Sequence, residues 1–236
     1  MLQRPHAISF DAGYTLIQPV REAPRLVADH LAGLGRQTTE ERLHSAWQRA
    51  EELFLKDYFA PHALTWTSDR LIEELYHRYY GQLLADLDVD DADLRHARTI
   101  IAAYNHPVNW TTFPSVHTTL AEIKRRGYRV GIVSDWVSSL SRILRHLGLL
   151  QYLDWVLVSG TIGLSKPSQA FYRLAVQRAG TTADRMIHIG DSYYADVLGA
   201  RTVGMEAVLV DWRGRSWPQL DVPLIRGIDE LLPLLE

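Results

Sequence analysis

Groups able to attack and hold a phosphoryl group recur in this chain in one kind of place, just past a short apolar run. Asp11 closes the run Ala7-Ile8-Ser9-Phe10, with Gly13 two residues later and Thr15 after it. The run Tyr128 to Ser134 ends in a hydroxyl and is followed by Asp135. Lys166-Pro167 lies in the loop after Trp155 to Val158, just ahead of a helix. Gly190-Asp191-Ser192-Tyr193-Tyr194-Ala195-Asp196 follows Met186 to Ile189. Taken singly, each has an ordinary structural explanation, because Asp and Gly make turns and Ser caps helices. Together they supply a carboxylate nucleophile, a hydroxyl donor, a cation and a second acidic cluster. Those are the parts that bind a metal and a phosphoryl group and attack the phosphorus.

The elements that must position these groups alternate in type. From Trp110 onward, helical spacing over Ser115 to Arg126, Val137 to Leu147, Ser168 to Ala179, Tyr194 to Val203 and Ile228 to Leu235 is interleaved with short apolar runs. The runs are Tyr128 to Ser134, Trp155 to Val158, Met186 to Gly190, Ala207 to Val210 and Leu224 to Arg226. Strands alternating with helices predict βαβ units and a parallel sheet. Open α/β sheets bind ligands beyond the carboxyl ends of their strands. Asp11, Ser134, Lys166 and Asp191 should therefore converge on one sheet edge.

Residues 18 to 106 read differently. Four amphipathic stretches follow one another with short connections: Val20 to Gly35, a second opened by Thr39-Glu40-Glu41, a third opened by Thr67-Ser68-Asp69, and a fourth capped by Asp90 or Asp91. Pro61 interrupts after the second. The predicted fold class is α/β, a Rossmann-like parallel-sheet core with an inserted four-helix cap domain. The core is residues 1–17 plus 107–236 and the cap residues 18–106. The cap is rich in aromatic residues (Trp47, Phe54, Tyr58, Phe59, Trp66, Tyr76, Tyr79 and Tyr80) that are expected to pack its core, with some near Tyr58 to Trp66 facing a substrate or a second subunit.

Composition narrows the function. The 236 residues are 47% hydrophobic and 22% charged with a net charge of −3, ordinary for a globular protein. No basic block offers a footing for nucleic acid. The absence of cysteine excludes disulfides, thiolate metal sites and Cys nucleophiles. No apolar run approaches the roughly 20 residues of a membrane helix. Met1 to Phe10 carries His6 and Pro5 where a signal peptide needs apolar residues. A cytoplasmic protein without membrane or nucleic-acid partners, monomeric or homodimeric, is expected. The ten histidines show no short metal-ligand spacing, and His188 reads as a core strand residue.

Asp11-Ala12-Gly13-Tyr14-Thr15-Leu16, Ser134, Lys166 and Gly190-Asp191 to Asp196 resemble, in order and context, the four motifs of the haloacid dehalogenase-like hydrolase superfamily. The helical insert looks like that superfamily's C1 cap. The stretch Gly190 to Asp211 is similar to the branch of haloacid dehalogenase-like hydrolase domain-containing protein 3. The resemblance implies an Mg²⁺-dependent hydrolase of a small phosphorylated substrate. Asp11 is implied as nucleophile and metal ligand. Ser134 and the N–H of Asp135 would hold phosphate oxygens, and Lys166 would offset negative charge. Asp191, Asp196 and the backbone carbonyl of Gly13 would complete the metal site.

One position departs from that pattern. The superfamily's phosphatases carry a second Asp two residues after the nucleophile, as the general acid and base; here it is Gly13. Such help is worth about 10²–10⁴-fold in rate. Three readings stay open: a phosphatase with a substitute acid (Asp135 or a cap residue) or an easily departing leaving group, a phosphonate or halo-acid hydrolase, and a partner-binding module on the same fold. Phosphonate cleavage would need a cap lysine, and Lys56 is the cap's only one. On this reading Gly13→Asp is expected to restore acid catalysis.

Overall fold

A computed structural model of the chain describes residues 5–58, 64–217 and 219–235. The Pro61 break and Phe59 lie outside them.

The four residues of β1 (Ala7–Phe10) are all buried, so both faces of this strand must be covered. Continuous apolar runs of this kind suit the middle of a parallel sheet. β1 pairs in parallel with β4 (Arg129–Ser134) on one side and β6 (Met186–Gly190) on the other. With β5 (Trp155–Val158), β7 (Glu206–Val210) and β8 (Leu224–Ile225), these strands form a six-stranded parallel sheet in the order β5-β4-β1-β6-β7-β8. The chain reverses its order of addition at β1, so the carboxyl ends of β1, β4 and β6 face one crevice. Helices α5 (Val116–Arg125), α6 (Leu140–His146), α7 (Ser159–Ile162), α8 (Gln169–Ala179) and α9 (Gly199–Arg201) form the crossovers. One face of the sheet packs on Leu120, Ile123, Leu140, Ile143 and Leu144, the other on Phe171, Tyr172, Ala175 and Ala200. The fold is the Rossmann-like one that the alternation of elements predicts.

Between β1 and α5 the chain leaves the sheet and returns. It leaves along β2 (Ile17–Pro19) and returns along β3 (Trp110–Thr112), which pair antiparallel as a two-stranded ribbon. The Asn109 side chain accepts from the Arg21 N–H and donates to the Arg21 carbonyl, tying the outgoing to the incoming strand. Nothing in the alternation of residue types marked this ribbon, because three residues are too few to show a period.

Helices α1 (Ala23–Gly33), α2 (Glu40–Tyr58), α3 (Asp69–Asp86) and α4 (Arg95–Tyr104) lie between the ribbon strands. They pack on a cluster of their own that includes Leu26, Val27, Leu31, Tyr79, Tyr80, Leu83, Leu84 and Ile100. Asp91 caps α4 from outside, its two oxygens accepting from the His96 and Ala97 N–H groups. At the start of α3, the Asp69 carboxylate accepts from the N–H and hydroxyl of Ser138, bonding the helical unit to the loop that follows β4.

Two elements differ from their expected type. The stretch from Tyr193 to Leu198 opens as a π-helical turn rather than an α-helix. The terminal helix Ile228–Leu235 is 3₁₀, with Pro233 inside it unable to donate a backbone hydrogen bond. No helix among the described residues is long and apolar enough to cross a membrane.

Gly131 sits opposite Trp155 in the β4–β5 pairing, and the indole lies over it. A Cβ at this position would come within 1.8 Å of Trp155 Cε2. Gly131→Ala must therefore displace a core tryptophan, and overpacking of this kind costs about 1–3 kcal/mol. A lower urea midpoint with an unchanged m-value is expected.

Past β7, the Asp211 carboxylate is fully buried and accepts from Arg215 Nε, Trp217 Nε1 and Arg226 Nη1 at 3.0–3.1 Å. Burial pushes its pKa up, but these donors outweigh burial and hold it below the ordinary carboxylate value. Below the unfolded value of about 3.9, the unfolded chain takes up the proton before the folded one does. The stabilisation is therefore present above that pH and is lost as pH falls through the depressed folded value. Asp211→Asn should cost about 2 kcal/mol near pH 7. The difference from wild type should shrink in denaturation curves recorded toward pH 3.

Candidate active site

The carboxyl ends of β1, β4 and β6 open into a cavity of about 580 Å³. Asp11, Gly13, Ser134, Asp135, Lys166, Asp191 and Asp196 all line it, so the structure brings every predicted site residue to one place. The loop after β1 is held tightly: the Ala12 carbonyl accepts from the N–H groups of Leu16 and Ile17, and Tyr14 takes a positive φ of 55°. A bulky side chain in that backbone region carries strain, which is tolerated where the surroundings fix it. Here the Tyr14 N–H donates to the Ile17 carbonyl, and its hydroxyl donates to Glu22.

Lys166 is the hub. Its Nζ donates to Asp11 Oδ1 and to Asp196 Oδ1, each at 2.8 Å. The Lys166 and Asp11 side chains are only 5% and 9% exposed, and Asp196 is 1% exposed, so the three charges meet with little water between them. The Lys166 backbone N–H donates to Asp135 Oδ1, which fixes the lysine loop against the end of β4. Carboxylate oxygens of Asp11, Asp191 and Asp196 lie within 4.8 Å of one another.

Asp196 reaches this position because of a glycine. A Cβ on Gly190 would come within 2.1 Å of Asp196 Cγ. The other carboxylate oxygen of Asp196 accepts from the Ser192 N–H, at the mouth of the π-helical turn. Behind it, His188 Nε2 lies 3.0 Å from Asp196 Oδ1 and His188 Nδ1 lies 2.9 Å from Ser9 Oγ. His188 is thus a fully buried strand residue, and it also supports an acidic site residue. Its spacing in sequence gives no sign of this; only the Ser9–His188 register across β1 and β6 does.

The electrostatics follow from burial and crowding. Burial pushes Asp11 above the ordinary Asp value, with Lys166 and Ser134 pulling against it. Burial and the charges of Asp11 and Asp196 push Asp191 up to about 7. Burial likewise pushes Asp135 up to about 7, and its Oδ2 is shielded from solvent without a hydrogen-bond partner. Burial would raise Asp196 too, but Lys166 and His188 hold it well below its ordinary value. Lys166 stays charged because its carboxylate neighbours overcome the cost of burial. The arrangement can present an ionised carboxylate oxygen to an electrophile, with a cation beside it and oxygen donors for a hard metal.

A family model described as haloacid dehalogenase-like hydrolase matches residues 5–204. The chain belongs to the haloacid dehalogenase-like hydrolases. It is 30% identical to haloacid dehalogenase-like hydrolase domain-containing protein 3 of Homo sapiens, over 79% of this chain and 72% of that one. The Danio rerio protein of the same name is 28% identical over 69% of this chain, and the match spans 58% of its length. A glyceraldehyde 3-phosphate phosphatase of Methanothermobacter thermautotrophicus is 33% identical over 52% of this chain and 58% of its own. The crystal structure of a phosphatase of this superfamily from Thermococcus onnurineus superposes with a TM-score of 0.66 at 24% identity, covering 97% of each chain.

Within this family the chain's departure at Gly13 has a physical counterpart. A Cβ at Gly13 would lie 2.8 Å from Trp136 Cζ3, so the indole occupies the space a side chain would need. Trp136 is 7% exposed and packs edge-on against Trp110 at 4.7 Å between ring centroids. The expectation that Gly13→Asp restores an acid therefore meets a steric obstacle, because an added side chain must displace the indole. Lys56, the lysine a phosphonate-cleaving reading requires, is exposed on the last turn of α2 and is not part of the cavity wall. Sequence reasoning missed Trp136; its place beside Ser134-Asp135 was the only signal.

Gly13→Asp alone is expected to lower stability by about 1–3 kcal/mol without raising activity. Gly13→Asp with Trp136→Leu should recover part of that loss. Thermal melts and phosphate-release rates on the single and double variants check both statements.

Proposed function

We propose that this protein is a Mg²⁺-dependent phosphatase of small molecules that works through an aspartyl-phosphate on Asp11. The observation that carries the reading is the buried Lys166 ammonium shared between Asp11 and Asp196, beside a third carboxylate, at the carboxyl end of a parallel sheet. That geometry sets a cation directly against the nucleophile in a cavity whose burial raises the nucleophile's pKa. The phosphatase relative named above adds weight to a phosphate ester or anhydride as substrate.

In the first step Asp11 attacks phosphorus and the leaving oxygen departs with the bonding electrons, giving an acyl phosphate. Ser134 and the N–H of Asp135 hold phosphate oxygens, and Lys166 offsets the charge that builds between nucleophile and substrate. Water then attacks phosphorus and frees the Asp11 carboxylate. Asp11, Asp191 and Asp196, whose carboxylate oxygens cluster, would with the Gly13 carbonyl provide an oxygen-only donor set of the kind magnesium takes. When bound there, the metal supplies charge neutralisation and orients the phosphoryl group. The helical unit, residues 18–106, serves as a cap: α2 and α3 contribute Phe54 and Tyr76 to the cavity wall, and the β2–β3 ribbon forms its two-stranded stem.

Phosphate release from acetyl phosphate is expected to require Mg²⁺, to stop on chelation and to fall to background in Asp11→Asn. Lys166→Met should lower turnover by about 10²–10³-fold while the variant remains folded. Wild-type turnover in Asp11→Asn would remove the nucleophile assignment.

A further inference from the structure

Two independent features of the cavity bear on the group that leaves. The first is its wall. From the helical unit to the nucleophile loop runs a chain of aromatic rings in mutual contact. Phe54 lies 6.1 Å from Trp66 and 6.4 Å from Tyr76, and Tyr76 lies 6.1 Å from Tyr104. Trp110 bridges Tyr104, at 5.2 Å, to Trp136, at 4.7 Å. Phe54, Trp66, Tyr76, Tyr104 and Trp136 all border the same cavity as Asp11, with Trp217 on the core side. The five connected aromatic side chains on this wall favour a flat apolar group through offset and edge-to-face contacts.

The second feature is the supply of protons. Among the described carboxyl groups that line the cavity, Asp11, Asp191 and Asp196 form the acidic cluster. Asp135 has one oxygen on the Lys166 N–H and the other shielded from solvent. Glu51 is on α2, near Glu22 and Arg213, where it also borders a smaller chamber of about 220 Å³. Beside Asp11 itself, at position 13, the Trp136 ring occupies the space a Cβ would need. A leaving oxygen at that position would face indole rather than a carboxyl group at residue 13. Such a group must depart as its own anion. A phenol ionises near pH 10, as tyrosine's does. An aliphatic alcohol ionises only in the range where water does, far above a phenol.

We infer that this site is built for phosphate monoesters of phenols, the aromatic ring lying on the Phe54–Trp66–Tyr76 wall and leaving as phenolate without a proton from the protein. The inference rests on the phosphatase reading above. The balance is simple. Asp11 forms an O–P bond as the P–O(aryl) bond breaks, and the phenolate keeps the electron pair. Water cleaves the acyl phosphate at phosphorus. One of its protons stays on the hydrogen phosphate released and the other reaches the phenolate through solvent.

Four substrates separate ring binding from leaving-group basicity: phenyl phosphate has both the ring and the good leaving group, benzyl phosphate the ring alone, acetyl phosphate the leaving group alone, and ethyl phosphate neither. With wild-type enzyme and Mg²⁺, benzyl phosphate should match phenyl phosphate in KM but fall about 10²–10⁴-fold in kcat, the usual size of a missing acid's contribution. Acetyl phosphate should turn over with a higher KM than phenyl phosphate. Phenylphosphonate should inhibit acetyl phosphate hydrolysis at least ~10-fold more tightly than methylphosphonate, which tests the wall without any chemistry. Phe54→Leu, close in volume, should narrow that inhibitor ratio.

Asp11-dependent turnover of acetyl phosphate with benzyl and phenyl phosphates equal in kcat would overturn the inference and leave the phosphatase reading standing, with Glu51 as the acid to test next. Equal inhibition by the two phosphonates would overturn it in the same way. Absence of Mg²⁺- and Asp11-dependent release from all four substrates would overturn both readings together.

Discussion

A buried ammonium held between two carboxylates is the constraint on which this structure turns. Lys166 comes from the loop before α8, Asp11 from the end of β1 and Asp196 from the turn after β6. Separately, each charge would pay a desolvation cost of several kcal/mol at such burial. Together they offset part of one another's burial, but only while three distant pieces of chain hold their positions. The sheet order, with β1 between β4 and β6, is what brings those pieces to one crevice.

Much of the surrounding detail follows from keeping that contact in place. Gly190 has no side chain because Asp196 lies where one would be. His188 and Ser9 pair across β1 and β6 to support the carboxylate from behind, and Asp135 pins the Lys166 backbone from the side. Tyr172 closes the back of the site, its ring edge-on to His188 and its hydroxyl donated to the Ala195 carbonyl. Ser9, His188 and Tyr172 touch the chemistry only through another group, which is why none of them stands out by type.

Trp136 shows the same logic from the opposite direction. An indole has taken the space beside the nucleophile loop, and Gly13 is the residue type that permits it. One substitution in isolation looks like a lost function. Set beside its tryptophan neighbour and the aromatic wall that continues to Phe54, it is part of a differently shaped cavity with an apolar side where a carboxyl group would otherwise be.

The sequence by itself determined the α/β class, the helical insert and the positions of Asp11, Ser134, Asp135, Lys166, Asp191 and Asp196. Apolar runs and helical spacing are local properties, and a chemically active side chain just past a strand is visible wherever strands alternate with helices. Only the tertiary structure decided the Lys166 bridge, the Ser9–His188–Asp196 support and the packing of Trp136 over Gly13. Each joins residues that are far apart along the chain or ordinary in type, through distances set by strand order and register. The β2–β3 ribbon and the 3₁₀ ending were likewise out of reach, because three-residue strands carry no period and a helix with Pro233 inside keeps its apolar spacing while losing its α hydrogen bonds. Local pattern fixes which elements form; the meeting of side chains across the sheet edge depends on how those elements are ordered in space.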